Sequence, residues 1–363
     1  MKKGNLIRLI ILAVLFIGTM LIFYLHASGG SQYPSVHAIC PLGGIENFWV
    51  WLAGRSNIQK IFSGTMSLFF LTSGYAVVFR RSFCGNICPF GALFEFIAKF
   101  NSKKVQLPQK VDRPLRYLKY VVLLLITGTA WVTASLWITS YDPWNALSHI
   151  FSITESFSLY TIGFILLFAI LIASFLIERF FCKYICPAGA FYGIISKISP
   201  YKIKRSPCSN CGLCSKKCPM GIDVAKQETV NSAECISCGI CVGACPDKNK
   251  PLRFSFFKKS IPLVFAVLLS VGVFFGSLFI LDATGFYQVT IPKIETVIES
   301  KEYLKLADLR GSMTIQEGAS YTGNDLNKFY EIMEIPLNVS KDTLLKEVVI
   351  QVPGYDFHVM KAK

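Results

Sequence analysis

Eight cysteines confine residues 208–246 to one kind of fold. Cys208, Cys211, Cys214 and Cys218, followed by Pro219, repeat the spacing of Cys235, Cys238, Cys241 and Cys245, followed by Pro246. The doubled C-x2-C-x2-C-x3-C-P run is the ligand pattern of two [4Fe–4S] clusters. Three close cysteines grip three irons of one cubane, and the fourth reaches across to the other. The expected sets are Cys208, Cys211, Cys214 and Cys245 for one cluster, and Cys235, Cys238, Cys241 and Cys218 for the other. A four-cysteine zinc site reads C-x2-C…C-x2-C with a longer middle gap, which this spacing does not fit. The run points to electron transfer through a two-cluster, ferredoxin-type segment.

The rest of the chain is not that of a soluble carrier. Of 363 residues 53% are hydrophobic, 30 are phenylalanine, and only 16% are charged. Apolar runs long enough to cross a bilayer stand at roughly 6–25, 62–79, 117–139, 159–177 and 261–281. The first is expected to stay as an anchor, since it is long for a signal core and no small-x-small cleavage site follows. Basic residues set the expected orientation. Lys2, Lys3 and Arg8 precede the first run, eight Lys or Arg from Arg80 to Arg116 separate the second and third, and the ferredoxin segment adds Lys202, Lys204, Arg205, Lys216, Lys217, Lys258 and Lys259. Ser140–Tyr160 has no Lys or Arg, and the first loop has only Arg55 and Lys60. Five alternating spans then put the amino terminus and the cluster segment in the cytoplasm, and the tail outside. From Asp282 onward 9 Lys or Arg face 12 Asp or Glu, so the overall +15 concentrates in the membrane and cluster parts. Basic residues beside spans meet anionic headgroups, and with no recognition motif the charge does not indicate nucleic acid.

A second cysteine set lies at the membrane. Cys84-Gly-Asn-Ile-Cys88-Pro89-Phe-Gly91-Ala92 follows the second run, and Cys182-Lys-Tyr-Ile-Cys186-Pro187-Ala-Gly189-Ala190 follows the fourth. The copies align from Phe83 with Phe181 to Lys99 with Lys197. Cysteines at i and i+4 share one helical face, Pro89 and Pro187 suit the first turn of a following helix, and Gly91 and Gly189 permit close approach. Two facing hairpins would bring four thiolates to one further iron–sulfur site. A redox disulfide, buried free thiols and a single zinc, which carries no electrons, are the alternatives.

The thirteenth cysteine stands in His37-Ala-Ile-Cys40-Pro41-Leu-Gly43, with Val36 where a first cysteine would be. Placed after the first span it falls on the outer face, away from the hairpin cysteines, where packing is the expected role. His26, His37 and His149 also fall near that face, and His358 lies in the tail. A haem between His26 and His149 would need ligands deeper in the spans. A quinol proton is within an imidazole's range. In the tail, Thr314-x-x-Glu317 reads as a capping box. Gly323 then stops that helix, Asn324 or Asp325 starts another that Pro336 ends, Ser340-Lys-Asp342 caps a third, and Val348–Val352 is strand-like. Gly318-Ala-Ser-Tyr-Thr322 resembles a covalent-FMN attachment signature on Thr322. It lies in a helical pattern, in a segment short for a flavin fold, so a helical docking module is the expectation.

Spans bearing paired C-x3-C-P motifs together with a two-cluster ferredoxin resemble the NapH/NosR-like family of membrane polyferredoxins, related to CcoG-type proteins. Residues 1–281 carry the resemblance, through the Cys-Pro-x-Gly motifs at Cys40, Cys88 and Cys186 and the eight ferredoxin cysteines. It implies electron exchange between the quinone or quinol pool and a partner redox enzyme, with Cys84, Cys88, Cys182 and Cys186 as the membrane redox site. The tail departs from the NosR and CcoG layouts, which leaves the partner open. The expected fold is an α-helical integral membrane protein of about five transmembrane helices. A four-span domain occupies 1–200, an inserted α+β two-cluster ferredoxin domain 201–255, a fifth helix 256–281, and a small, mostly helical extracytoplasmic domain 282–363. The expected setting is the inner (cytoplasmic) membrane of the cell, with lipid, quinone and another redox protein as partners. The alternatives are a metal reductase or maturation factor, and a non-catalytic assembly subunit. Scattered methionines and few histidines weigh against copper.

Overall fold

In the computed structural model the described residues are 3–29, 33–34, 40–52, 63–101, 103–105, 107–133, 137–247, 249, 251–257, 259–288, 299, 303–306, 309, 311, 313–345, 347–352, 354–355 and 357–360. Lys2, Val36, His37, Arg55, Lys60 and Lys258 lie outside them, as does the side chain of His358. The chain divides into two compact units, Met1–Tyr24 with Val36–Gln288, and Leu25–Ser35 with Val289–Lys363.

Helix α1 (Lys3–Gly29) is followed by α2 (Leu42–Leu52), α3 (Ser63–Phe79), α4 (Ser82–Asn86), α5 (Pro89–Lys99), α6 (Gln109–Leu115), α7 (Leu118–Thr133), α8 (Pro143–Ser148), α9 (Ile153–Leu176), α10 (Phe180–Tyr184) and α11 (Pro187–Ile195). Four segments are long and apolar enough to cross a membrane: Lys3–Ser28, Gln109–Thr133, Leu159–Leu176 and Leu263–Ala283. Large apolar side chains on them face outward (Ile17 at 66%, Phe168 at 66%, Phe279 at 73% exposure), which suits lipid and not water. The fifth expected span is a shorter helix. The 17 residues of α3 rise about 26 Å at ~1.5 Å each, short of a ~30 Å hydrocarbon core. Arg80 turns the chain there through a left-handed φ of 58°.

In the cluster segment, β1 (Tyr201–Arg205), β2 (Thr229–Val230), β3 (Leu252–Phe256) and β4 (Lys259–Ile261) form an antiparallel sheet in the order β2-β1-β3-β4. Ile203 pairs with both Val230 and Phe254, and these alternate side chains are buried on one face. That face does not close on itself. Phe79 of α3 stacks on Phe256 (5.8 Å, 8°), and the Tyr201 hydroxyl donates to Ala266 O (3.3 Å). Ala266 belongs to the last span, α14 (Leu263–Ala283), which β4 enters directly through Pro262. Sheet, α3 and α14 therefore share one core. Short helices α12 (Leu213–Lys216) and α13 (Ile240–Ala244) each begin within a cysteine run.

In the second unit Leu309, Met313, Ile315, Phe329, Met333 and Leu345 form a core of their own. Thr314 caps α15 (Ile315–Thr322) in a complete capping box. Gly323 ends it at φ 68°, and Asp325 caps α16 (Leu326–Ile332). Two expectations fail here. Ser340 to Asp342 makes a turn (Thr343 N–H to Ser340 O, 2.9 Å) and not a helix cap. The Val348–Val352 run is a helical turn, α17 (Val348–Gln351), and not a strand. Its β-branched residues favour a strand locally, but one turn of helix lets Val352 N–H donate to Val348 O (2.8 Å) and buries Val348. A last turn, α18 (Phe357–Met360), closes the unit.

Thr314→Ala removes the cap hydroxyl and is expected to cost about 1 kcal/mol. Hydrogen exchange over residues 315–322 should then open roughly five-fold more often, with α14 unaffected.

Candidate redox site

Each hairpin breaks between its cysteines. The residue before a proline avoids helical ψ, and Cys88 (ψ 116°) and Cys186 (ψ 111°) do so. Cys84 and Cys182 thus sit in α4 and α10, while Cys88 and Cys186 cap α5 and α11, so each pair does not share a continuous helical face as the i, i+4 spacing suggests. Each capping sulfur accepts from a helix amide, Cys88 Sγ from Gly91 N–H (3.4 Å) and Cys186 Sγ from Gly189 N–H (3.2 Å). The four thiols converge. Cys186 is within electrostatic reach of Cys182, Cys84 and Cys88, and Cys88 is within reach of Cys84 and Cys182. Burial first, then these neighbours, pushes the Cys88 thiol up to about 12.

Cys40 lies here too, contrary to its expected place on the far face. Burial and then Asp142 raise its thiol, with Glu46 and Cys186 adding to the shift. It packs in the same core as Cys88, Cys182 and Cys186. The cause is α2. This apolar helix packs its Ile45 with Phe69, Leu123 and Ala190. Its Cys40-Pro41 start copies the Cys-Pro starts of α5 and α11, a likeness visible in sequence whose spatial meaning was not.

Sequence reasoning missed the charged residues of the site. Arg81 and Arg179 hold equivalent places in the two copies, each three residues before the first cysteine, and each reaches over to the other hairpin. A Cβ on Gly91 would stand 3.0 Å from Arg179 Nη1, and one on Gly189 would stand 2.7 Å from Arg81 Nη2. The two glycines admit guanidinium groups. Arg179 donates to Cys84 O (2.9 Å) and to Glu95 Oε2 (2.6 Å). Arg8 of α1 pairs with the same Glu95 and donates to Gly85 O (2.7 Å). Burial would raise the Glu95 carboxyl, but Arg179 and Arg8 outweigh it and hold it at about 2. In the second copy Gly193 stands where Glu95 would, and the chain at Ala233 passes over it, 3.3 Å from a built Cβ. Glu234 then supplies the carboxylate, between Lys119 and Arg81 (3.5 Å to Nη1).

In the ferredoxin segment, Asn210 with Gly212 and Ser237 with Gly239 take left-handed φ at equivalent places of the two cysteine runs. Such turns gather backbone N–H groups into anion-binding nests of the kind found at iron–sulfur sites. Cys218, Cys235, Cys238 and Cys241 line one cavity, which coincides with one expected ligand set. In the other set Cys211 is exposed and Cys208 half-buried, while Cys214 and Cys245 are buried. The Asn210 N–H and then the Arg205 guanidinium lower the Cys208 thiol. Among the described residues no three His, Cys, Asp or Glu side chains close round a single ion. Each thiolate of a cubane binds its own iron, so a cluster asks for a wider cage.

The two cysteine regions touch. A Cβ on Gly85 would lie 2.1 Å from Ile236 O and 3.2 Å from Cys238 N, so only glycine lets the first hairpin meet this loop. Arg80 donates to Val230 O and Ser232 O, and Arg81 to Ala233 O (3.0 Å).

Other candidates have local partners. The His149 ring packs at a tilt against Tyr160 (4.5 Å, 33°) and its Nδ1 lies 2.9 Å from Asn145 O. His26 Nδ1 lies 2.9 Å from Tyr33 O. The Thr322 hydroxyl donates to Gly318 O (2.8 Å) inside α15.

A family model described as a 4Fe-4S binding domain matches residues 64–108 and 160–206, the two span-and-hairpin units, and one described as a 4Fe-4S dicluster domain matches 200–246. An uncharacterized protein of Methanocaldococcus jannaschii is 34% identical over 198 residues, 52% of this chain and 76% of its own length. YccM of Escherichia coli is 30% identical over 209 residues, 53% of this chain and 58% of that one. The ferredoxin-type protein NapH of Haemophilus influenzae is 32% identical over 149 residues, 40% of this chain and 50% of that one. The chain thus spans little more than half the length of YccM and half that of NapH. No solved structure matches it.

Removing the Glu95 carboxylate leaves Arg8 and Arg179 buried without a counter-charge. Glu95→Gln is expected to destabilise the membrane unit by about 3–5 kcal/mol, read as thermal stability in detergent. In the natural protein that contribution is complete above the ordinary carboxyl pKa of about 4.5 and is lost as pH falls towards about 2.

Proposed function

Because the chain belongs to the NapH/NosR-like family of membrane polyferredoxins, we propose that it carries electrons between the quinone pool and a partner redox enzyme. In this reading Cys84, Cys88, Cys182 and Cys186 hold a third iron–sulfur group, beside the two clusters held by Cys208, Cys211, Cys214 and Cys245 and by Cys235, Cys238, Cys241 and Cys218. The observation that carries it is the backbone contact of Gly85 with Ile236 and Cys238. It sets the membrane cysteines against the buried cluster loop and leaves the loop with exposed Cys211 towards solvent. The buried cluster then exchanges electrons with the hairpin site, and the outer one with a soluble partner.

The clusters supply one-electron chemistry when bound. The chain's residues do the rest. Buried Cys182, half-buried Cys84, Cys88 and Cys186, and the amides of Gly91 and Gly189 make the hairpin cradle, the buried arginines favour negative charge in it, and the aromatic wall of Phe90, Phe181 and Trp144 keeps water out. Glu46 and Asp142, within electrostatic reach of Cys40, are carboxylates whose pKa burial raises, to about 8 and about 6, so they can take protons released by a quinol. The basic residues of the amino terminus and the ferredoxin segment support a cytoplasmic place for both, in the inner membrane, with the tail outside.

Stopped-flow reoxidation of the reduced protein by a water-soluble menaquinone analogue should be saturable. It should be lost in Cys88→Ser/Cys186→Ser, while the two ferredoxin clusters remain by iron content. Gly85→Val, which keeps every cysteine, should slow transfer to the ferredoxin clusters at least ten-fold, since a displaced loop lengthens the electron's path. Slow, non-saturating reoxidation identical in all three proteins would sink the reading.

A further inference from the structure

We propose that Arg81 is a positioning residue for the sulfur-rich group of the hairpin cysteines. Its Nη2 donates to that group, and its Nη1 is fastened to the ferredoxin loop that leads into Cys235. The inference rests on the hairpin site described under Proposed function and adds a residue to it that no cysteine pattern reveals.

Three observations carry it. Arg81 is 1% exposed, yet its Nη2 has no hydrogen-bond partner. A buried donor left unmade is costly, more so on a charged group, so the position calls for an acceptor that the polypeptide does not supply. The vacant donor faces the thiols. It lies against Gly189, where a built Cβ would stand 2.7 Å from Nη2 and 3.4 Å from Cys186 Sγ, and Arg81 is within electrostatic reach of Cys84, Cys186 and Cys182. Arg179, its counterpart in the duplication, differs on this point, because both of its terminal nitrogens are committed, to Cys84 O and Glu95.

The third observation is charge. Arg8, Arg80, Arg81, Arg179, Lys119 and Lys183 are buried in and around the hairpins, against the buried carboxyl groups of Glu46, Glu95, Asp112 and Glu234. Among the described residues six cations against four carboxyl groups leave an excess of positive charge that a low-dielectric interior tolerates only beside negative charge. A four-thiolate [4Fe–4S] group is dianionic when oxidised and trianionic when reduced, so it answers both the excess and the vacant donor. The other end of Arg81 holds Ala233 O at 3.0 Å and lies 3.5 Å from Glu234 Oε2, two and one residues before Cys235. One guanidinium thus bridges the hairpin site and the loop of the buried cluster. It favours the form of the hairpin group with one more electron, and it keeps the receiving loop in place.

The test is redox potentiometry on the full-length protein in detergent, followed by electron paramagnetic resonance, with iron and sulfide counted in each sample. Arg81→Met should lower the hairpin midpoint, so that the reduced-to-oxidised ratio at a fixed potential falls at least tenfold, 59 mV for one electron. Arg81→Lys keeps the charge but not the fork and should fall between Arg81→Met and the natural protein. Gly189→Ala keeps Arg81 but crowds Nη2 away and should shift the same signal the same way, which covers the case in which Arg81→Met does not assemble. An unchanged hairpin midpoint in iron-replete Arg81→Met or Gly189→Ala overturns the proposal, as does a shift confined to the ferredoxin signals. Equal iron in the natural protein and in Cys88→Ser/Cys186→Ser would instead show that the hairpins hold no group. That result removes the site itself and is told apart from a failure of Arg81 alone.

Discussion

The pairing of Glu95 with Arg8 and Arg179 is the constraint on which the membrane half depends. A buried carboxylate between two guanidiniums is stable only when both stay within reach, because any one of the three left alone is an uncompensated charge in a low dielectric. The triad ties the first helix to both hairpins at once. Arg8 comes from α1, Glu95 from the first hairpin and Arg179 from the second, and Arg8 also holds Gly85 O at the point where the ferredoxin loop arrives. Aromatic packing of Phe90, Phe94 and Phe181 fills the space behind it. Packing of that kind is tolerant of small shifts, whereas the charge pairing fixes register.

The duplication is symmetric in its cysteines and asymmetric in its charges, and the asymmetry recruits the ferredoxin. Where the first copy has Glu95 the second has Gly193, and the space so left is taken by the chain at Ala233, with Glu234 supplying the missing carboxylate to Arg81 and Lys119. One copy is thus closed by its own residues and the other by the inserted segment. Together with the core shared by Tyr201, Phe254, Phe79 and Ala266, this makes the ferredoxin segment a part of the membrane unit and not a tethered domain. Electron transfer falls steeply with distance, so a fixed contact serves it better than a flexible linker would.

The cysteine site also has carboxyl groups near it. The half-buried Cys40 at the start of α2 packs in the core of the hairpin cysteines, with buried Glu46 and half-buried Asp142 within electrostatic reach of it and the α8 residue Trp144 packed on Phe90. The three Cys-Pro helix starts, at Cys40, Cys88 and Cys186, therefore occupy one core, although the paired cysteines belong to the hairpins alone.

Much of this was legible in the residues alone. The two cysteine runs, the duplicated hairpins, the prolines at the first turns of α5 and α11, four of the spans and the capping box at Thr314 all follow from signals within a few residues of one another, where spacing and local backbone preference decide the outcome. The errors came where distant parts of the chain decide. Val348–Val352 became helical once its carbonyls and its buried side chain were accounted for. The i, i+4 pairing of Cys84 with Cys88 was broken by the proline that follows. Cys40 was brought inward by a helix whose partners lie in α3, α7 and α11. Arg81 and Arg179 stood in equivalent places in the sequence, but a basic residue at the end of a span is ordinarily solvated, and no local rule says that it will be buried and turned towards the opposite hairpin. By itself the sequence determined how the thiols are spaced, because cysteine spacing is a short-range property of the chain. Only the tertiary structure decided which charges surround them, because burying a charge is tolerated only where partners 77 to 87 residues away, as Gly85 and Glu95 are from Arg8, arrive at the same point.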